Sequence, residues 1–296
     1  MKILLTGTTG QVGWELQRTL MTVGEVIAVG RNQMDLAQPD TICQTIREIK
    51  PDLIVNPAAY TAVDQAESQP DLAIAINGVA PGVMAEEAKR LGAAMIHYST
   101  DYVFDGTKNT PYTENDQPNP QNVYGKTKLA GEEAIASVGV DHLIFRTSWV
   151  YGLYGKNFLL TMQRLAKERE EIRVVDDQIG APTWSRMIAE TTSQIISQAL
   201  PNPSDFFAHQ GGLYHLSASG KTSWYGFAKA IFAKDIFEPD FQQSQRKLQR
   251  LIAITSQEYP TAASRPAYSL LDHQKLAHNF KLVMPNWERI LELVLA

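Results

Sequence analysis

Through the first half of the chain, short apolar runs alternate with longer stretches of helical period, and that alternation predicts the fold. Residues 2–6 form a nearly continuous apolar run of strand length, ending in Gly7-Thr-Thr-Gly10-Gln-Val-Gly13. Val12, Leu16 and Leu20 then recur at intervals of four and mark one helix face. Strand, tight turn and helix are expected in that order. The pattern repeats with an apolar run at 25–29, a helix over Pro39–Ile49, a run at 52–56, a long helical segment at 70–91 and a run at 93–98. A helix then opens near Asn122, and a fifth run covers 143–147. Strands alternating with helices predict an α/β fold, a doubly wound parallel sheet covered on both faces.

After Thr147 the alternation degrades. Residues 156–171 show an apolar side (Phe158, Leu159, Met162, Leu165) and a charged run, 167–171, which reads as a solvated helix face. A loop-rich stretch at 174–184, a helix at 187–200, a last strand at 213–217 and a closing helix from Asn286 follow. The last third lacks a βα repeat and reads as a small cap.

With 296 residues, the chain is long enough for a full α/β core and a smaller appended domain. Its net charge of −5 argues against nucleic-acid binding, and the densest cluster of cations, Arg246, Lys247 and Arg250, reads as solvated surface. Cys43 is the single cysteine, which excludes a disulfide framework and a cysteine-based metal site. The six histidines show no metal-ligand spacing, so no metal is expected. The first apolar run is too short for a signal-peptide core, and no stretch approaches 18 apolar residues. No membrane partner and a cytoplasmic location are expected.

Candidate chemistry concentrates where strands end. Glycines at 7, 10 and 13 let a dinucleotide pyrophosphate approach the backbone N–H groups of a helix N-terminus. Their G-x-x-G-x-x-G spacing differs from the dehydrogenase fingerprint, and a glycine turn also serves simply to close a βα unit. After the second strand stands Arg31, where an acidic residue would bind a free ribose 2′-hydroxyl and an arginine accommodates a 2′-phosphate. That arginine leans toward NADP, with an exposed loop cation as the competing reading. Asp35 and Leu36 lie where adenine would be covered, and Ala58 and Ala59 leave room for a flat ligand after the third strand. Asn77, a polar residue in a helical pattern, needs a partner.

Strand four runs into Ser99-Thr100-Asp101-Tyr102, at the sheet edge where α/β folds bind ligands. A proline-bearing loop, 105–121, leads back to Tyr124 and Lys128, four residues apart and so on one helix face. Asn122 is placed to cap that helix. The expectation is an ammonium beside a phenol, lowering its pKa by at most about three units and making it a general acid. Alone, Tyr-x-x-x-Lys is common on exposed helices. Its company here gives it weight.

Together, Gly7, Gly10, Gly13, Thr100, Tyr124 and Lys128 resemble the extended short-chain dehydrogenase/reductase superfamily. Longer phrases, Asn56-Pro-Ala-Ala-Tyr-Thr-Ala-Val-Asp, Tyr98-Ser-Thr-Asp-Tyr-Val-Phe-Asp-Gly, Phe145-Arg-Thr-Ser-Trp-Val-Tyr and Asp177-Gln-Ile-Gly-Ala-Pro-Thr, are similar to its dTDP-4-dehydrorhamnose reductase family. The resemblance spans nearly the whole chain. It implies a Rossmann-type domain of residues 1–148 with about 183–217, and a mixed α/β nucleotide-sugar domain of about 149–182 with 218–296. It also implies NAD(P)H-dependent reduction of the C4 ketone of dTDP-4-dehydro-L-rhamnose. Arg31 leans the cofactor toward NADPH, with NADH possible, and a monomer or homodimer is the expected working state.

Tyr124 would then be the acid, Lys128 its modulator and ribose anchor, and Thr100 a ligand of the ketone oxygen. Cofactor contacts are implied for Gly7, Gly10, Gln11, Val12, Gly13, Arg31, Asp35, Leu36, Ala58, Ala59, Tyr60, Asn77, Tyr124 and Lys128. Substrate contacts are implied for Thr100, Asp101, Tyr102, Trp149, Asn157 and Arg265. The sugar dehydratases of the superfamily follow the Thr with Asp-Glu. Here Tyr102 replaces that Glu, which favours simple reduction. Pro57 departs from the small alanine common in the family. An epimerase or dehydratase that retains NAD, and a non-catalytic regulatory homologue, are the alternative functions.

Overall fold

The structure, a computed structural model, describes residues 1–234 and 247–296. Arg246 lies outside the described residues, while Lys247 and Arg250 are exposed, Arg250 pairing with Glu171 at 2.7 Å. In chain order the elements are β1 Lys2–Leu5, α1 Gln11–Thr19, β2 Glu25–Ala28, α2 Pro39–Ile49, β3 Leu53–Asn56, α3 Val63–Ala66, α4 Pro70–Ile74 and α5 Ala80–Leu91. β4 Ala94–Thr100, α6 Val123–Val138 and β5 His142–Thr147 follow. Next come β6 Val150–Tyr151, α7 Phe158–Glu168, β7 Glu171–Val175, β8 Ile179–Gly180, β9 Thr183–Trp184, α8 Ser185–Ala199, α9 Pro203–Gln210 and β10 Gly212–His215. β11 Thr222–Ser223, α10 Trp224–Lys234, β12 Arg250–Ile254, α11 Gln274–Phe280 and α12 Trp287–Val294 close the chain.

Six strands make one parallel sheet in the order β2-β1-β3-β4-β5-β10. Because successive strand residues point to opposite faces, Ile3, Leu5, Leu53, Val55, Ile96 and Phe145 meet Leu16, Leu20, Ile188 and Ile195 on one side. Leu4, Ile54, Met95 and Ile144 meet Ile42, Ile46, Met84 and Ile135 on the other. The strands therefore need apolar residues at both parities, which is why they read as continuous runs. The strand order turns back between β1 and β3, so the loops leaving these strands diverge and open a crevice. Rossmann-type winding follows from this arrangement.

Boundaries differ from the sequence reading in instructive places. β4 continues through Ser99 and Thr100, both buried, so the site hydroxyl sits on a strand end rather than on a loop. The 70–91 segment is helical throughout, but passes through a π-turn at Ala75–Val79 that carries Asn77. The helix expected at 156–171 ends at Glu168, and Glu171 opens β7, inside a stretch read as solvated helix and then loop. β7 pairs in parallel with β12, some eighty positions on in sequence, and no local pattern announces so distant a partner. A third core, built from Leu159, Met162, Ile172, Phe227, Ile231, Trp287 and Ile290, unites α7, β7, α10 and α12.

Helix α6, which carries Tyr124 and Lys128, is fixed to the sheet by charge. Glu132 receives two hydrogen bonds from Arg146 of β5, at 2.9 and 2.6 Å, and both side chains are buried. The guanidinium also lies over Phe104, 5.0 Å from the ring centre. Removing one partner leaves the other charge stranded, which costs far more than the pair itself contributes. Glu132→Gln is expected to lower the unfolding free energy by about 3–5 kcal/mol in urea titration, and Glu132→Leu combined with Arg146→Met to recover much of that loss. An equal loss in the double variant would mean that packing, and not the stranded charge, dominates.

Candidate active site

The turn between β1 and α1 is compressed against the loop after β3. Gly7 has φ +59°, and a Cβ there would stand 2.7 Å from the Ala58 nitrogen, while a Cβ on Gly13 would collide with the Gly7 carbonyl oxygen. The Gly10 N–H closes the turn on that carbonyl at 2.9 Å. Two of the glycines are thus required by packing alone. A Cβ on Gly10 would meet nothing within 4 Å except the Gly7 carbonyl oxygen at 3.3 Å, so this position leaves backbone open to a ligand. Helix α1 starts at Gln11, its free N–H groups at the crevice mouth, an arrangement that fits a dinucleotide pyrophosphate.

From this turn a cleft of about 840 Å³ runs over the carboxyl ends of the strands. Gly7, Gly10, Gln11, Val12 and Gly13 line it, with Arg31, Asp35 and Leu36 beyond β2 and Ala58, Ala59 and Tyr60 beyond β3. Thr100, Asp101, Tyr102, Tyr124, Lys128 and Trp149 complete the wall. Residues more than a hundred positions apart share one cavity.

Three expected site residues do not line it. Asn77 is buried, and its amide accepts from the Tyr60 N–H at 2.8 Å and donates to the Tyr60 carbonyl and the Thr127 hydroxyl, both at 3.1 Å. It finds the partners its burial requires and holds Tyr60 against α6. Asn157 accepts from the Leu160 N–H at 3.1 Å and donates to the Gly152 carbonyl at 2.8 Å, so its amide is occupied in capping α7. Arg265 stands beside Tyr102, paired with Asp64 at 2.7 Å, and its Nη1 is buried without a partner.

The electrostatics correct one expectation. Asn122 does cap α6, accepting from the Gly125 N–H at 2.7 Å. Lys128, however, does not reach the phenol: Nζ lies 2.6 Å from the Tyr98 carbonyl oxygen and 3.0 Å from His97 Nε2. An ammonium that is 1 % exposed needs several acceptors, and the sheet edge supplies more than one phenol oxygen does. Burial brings the Lys128 pKa down to about 8, opposed by Glu132. Burial also raises the Tyr124 pKa well above its ordinary value, and the neighbouring Thr100 hydroxyl only moderates the rise. Tyr124 is held protonated rather than made more acidic.

Sequence reasoning overlooked part of the wall. Trp149 takes the strained φ +45° and stacks face to face on Trp224, ring centres 3.6 Å apart, with its other edge against Gly180. Trp224 carried no motif that pointed to the cleft. Gly155 and Lys156 also reach it, from a loop tied to α1 by the stack of Tyr154 on Trp14 at 4.1 Å.

A glycine turn at the switch point, with a Thr, a Tyr and a Lys gathered over the same cleft, defines an extended short-chain dehydrogenase/reductase. The family model described as RmlD substrate binding domain matches residues 1–296. The chain is 48 % identical over 287 residues to the dTDP-4-dehydrorhamnose reductase of Burkholderia thailandensis, covering 97 % of this chain and 95 % of that protein. It is likewise 48 % identical over 292 residues to the reductase of Escherichia coli K12. The crystal structure of the Bacillus anthracis dTDP-4-dehydrorhamnose reductase in complex with NADP superposes with a TM-score of 0.88 at 37 % identity, covering 99 % of this chain and 98 % of that one. A Thermotoga maritima UDP-glucose 4-epimerase, at 17 % identity and a TM-score of 0.80, shares the fold. The chain belongs to the dTDP-4-dehydrorhamnose reductase (RmlD) family.

Asp101 offers a test of the burial argument. It is 2 % exposed, Oδ1 accepts from the Thr100 hydroxyl at 3.1 Å, Oδ2 has no partner, and burial pushes its pKa up to about 6. Between about pH 4 and 6 the folded chain holds a proton that the unfolded chain releases, so stability falls as pH rises through that window. A displacement of about two units corresponds to roughly 3 kcal/mol. Asp101→Asn is expected to flatten that fall in urea titrations at pH 4 and pH 7; an unchanged slope would assign the effect to another group.

Proposed function

We propose that the protein reduces the C4 ketone of dTDP-4-dehydro-L-rhamnose to dTDP-L-rhamnose at the expense of NADPH. The observation that carries this reading is the gathering of Thr100, Tyr124 and Lys128 in one cleft with the glycine turn. The open backbone at Gly10 and the α1 N-terminus fit a nicotinamide dinucleotide, and Gln11 Oε1, buried without a partner, is an acceptor free for it. When bound, that group supplies the hydride. Gly7, Gly10, Gln11, Val12 and Gly13 hold its diphosphate, Arg31, Asp35 and Leu36 the adenosine end, and Ala58, Ala59 and Tyr60 flank it. Asn77 acts through Tyr60.

Tyr124 donates its proton to the ketone oxygen as negative charge develops there. The upward displacement of its pKa keeps the phenol protonated at neutral pH, as a reduction requires. Thr100 directs a hydroxyl at the same oxygen. Lys128 has three N–H bonds, two of which go to Tyr98 and His97, and the third is left for the nicotinamide ribose. Tyr102, where a dehydratase carries Glu, provides no carboxylate to take a proton from the neighbouring carbon. The Trp149–Trp224 stack forms a platform for the sugar, and the unpartnered Nη1 of Arg265 suits a substrate phosphate.

In this reading residues 1–148 with about 183–217 bind the dinucleotide, and about 149–182 with 218–296 bind the nucleotide sugar. A cytoplasmic monomer or homodimer acting on a small molecule is the working state. Among the described residues, no helix is long and apolar enough to cross a membrane.

Stoichiometric loss of NADPH absorbance with dTDP-4-dehydro-L-rhamnose tests the reading; retained NAD with no net consumption would indicate an epimerase or dehydratase instead. Tyr124→Phe is expected to lower turnover by about 10² to 10⁴ while leaving NADPH affinity nearly unchanged, by steady-state kinetics and fluorescence titration. Wild-type turnover in that variant would remove the phenol from the mechanism. Arg31→Ala is expected to lower kcat/KM for NADPH about ten- to a hundredfold more than for NADH, the yield of one charge-assisted hydrogen bond. Equal losses with both cofactors would mean that Arg31 does not read the 2′-phosphate.

A further inference from the structure

Beneath the cleft a row of polar side chains crosses the sheet. Thr6 follows β1, Asn56 ends β3, His97 stands on β4 in register with Asn56, and Lys128 reaches down from α6. All four are buried, Asn56 and His97 completely. Asn56 Oδ1 accepts from the Thr6 hydroxyl at 2.6 Å, the Asn56 NH₂ faces His97 Nδ1 at 3.1 Å, and His97 Nε2 lies 3.0 Å from Lys128 Nζ. Polar groups in a sheet core persist only when fully paired, and these four pair with one another in sequence.

Counting donors and acceptors gives the row a direction. Against a protonated Lys128, His97 Nε2 must accept, so its proton sits on Nδ1. The Asn56 oxygen must then face His97 and its NH₂ Thr6, a half-turn from the orientation in the structure. Against a neutral Lys128 the row runs the other way, as the amide stands in the structure: Nε2–H donates to the amine, Nδ1 accepts from the Asn56 NH₂, and the Thr6 hydroxyl donates to the amide oxygen, while the amine still donates to the Tyr98 carbonyl. A half-turn of the amide and a change of imidazole tautomer connect the two arrangements. With the amide turned, the Thr6 hydroxyl gives up its acceptor, the Asn56 oxygen.

We propose that His97, held by Asn56 and Thr6, is a positioning residue that fixes the ammonium of Lys128 at the sheet edge and sets how readily it keeps its proton. For its catalytic consequence the proposal rests on the reductase reading above. Other groups also face the amine. On α6 these are Glu132, itself paired with Arg146 of β5, and Tyr124 one turn before. From β4 comes the Tyr98 carbonyl, and Asp101 and Tyr102 line the same cleft. The neutrality the role demands is supported by burial and the adjacent ammonium, which together hold the imidazole well below its ordinary range.

The test compares His97→Met, which has similar bulk and no strong acceptor, with His97→Gln, which restores an amide that accepts or donates. The readout is the titration of the Lys128 side chain by NMR of ¹³C-labelled lysine in the full-length protein, together with the pH profile of kcat/KM for reduction. In His97→Met the lysine is expected to titrate about one unit lower, equivalent to a tenfold change, with the falling limb of the profile moving alongside it. In His97→Gln both should stay within about 0.3 units of wild type. An unmoved lysine in His97→Met overturns the proposal and leaves His97 as core filling. The NMR titration needs no sugar substrate, so a wild-type protein that fails to reduce the ketone refutes the proposed function without touching this result. Should His97→Met not fold, Thr6→Val carries the same test from the far end of the row: a downward displacement of about half a unit is expected, and none would overturn the proposal.

Discussion

A helix that delivers an ammonium into the interior of a sheet has to satisfy that charge there, and the construction of this site follows from that requirement. Lys128 is buried against the Tyr98 carbonyl and His97, and one turn later Glu132 is buried against Arg146. These two anchors lie on the same face of α6 and fix its height and rotation over β4 and β5. Tyr124, one turn before Lys128, is thereby carried to the end of β4, beside Thr100. The phenol, the hydroxyl and the amine are placed by one docking event.

The other half of the cleft follows from a steric constraint. Because the sheet turns back between β1 and β3, the β1–α1 turn and the loop from Pro57 must pass each other at backbone distance, which only glycine at 7 allows. Once the two loops are in contact, the α1 N-terminus faces the crevice and the small residues Ala58 and Ala59 flank it. Binding surface and packing constraint are the same atoms here, so Gly7 and Gly13 serve the fold as much as the ligand.

Burial also decides the acid–base character. Desolvation raises Tyr124 and Asp101 and lowers Lys128, so every ionisable group at the reacting end is biased toward its neutral form. A site of that kind favours giving a proton to a developing alkoxide over removing one from carbon. It agrees with the replacement of a dehydratase glutamate by Tyr102, itself pushed up to about 12 by the same burial.

By itself the sequence determined the alternation of strands and helices, the glycine turn, the capped helix at Asn122 and the grouping of Thr100, Tyr124 and Lys128 with a reductase family, because each rests on local periodicity or a contiguous phrase. Tertiary structure alone decided that Lys128 turns to His97 rather than to Tyr124, since helix spacing fixes where Cβ atoms lie and not which acceptors a long side chain finds. It also decided that Asn157 is spent on a helix cap, that Arg265 stands beside Tyr102, and that Trp224 backs Trp149. β7 escaped detection for the same reason: its partner β12 is distant in sequence, and a strand whose stability comes from a remote neighbour leaves little trace in its own residues.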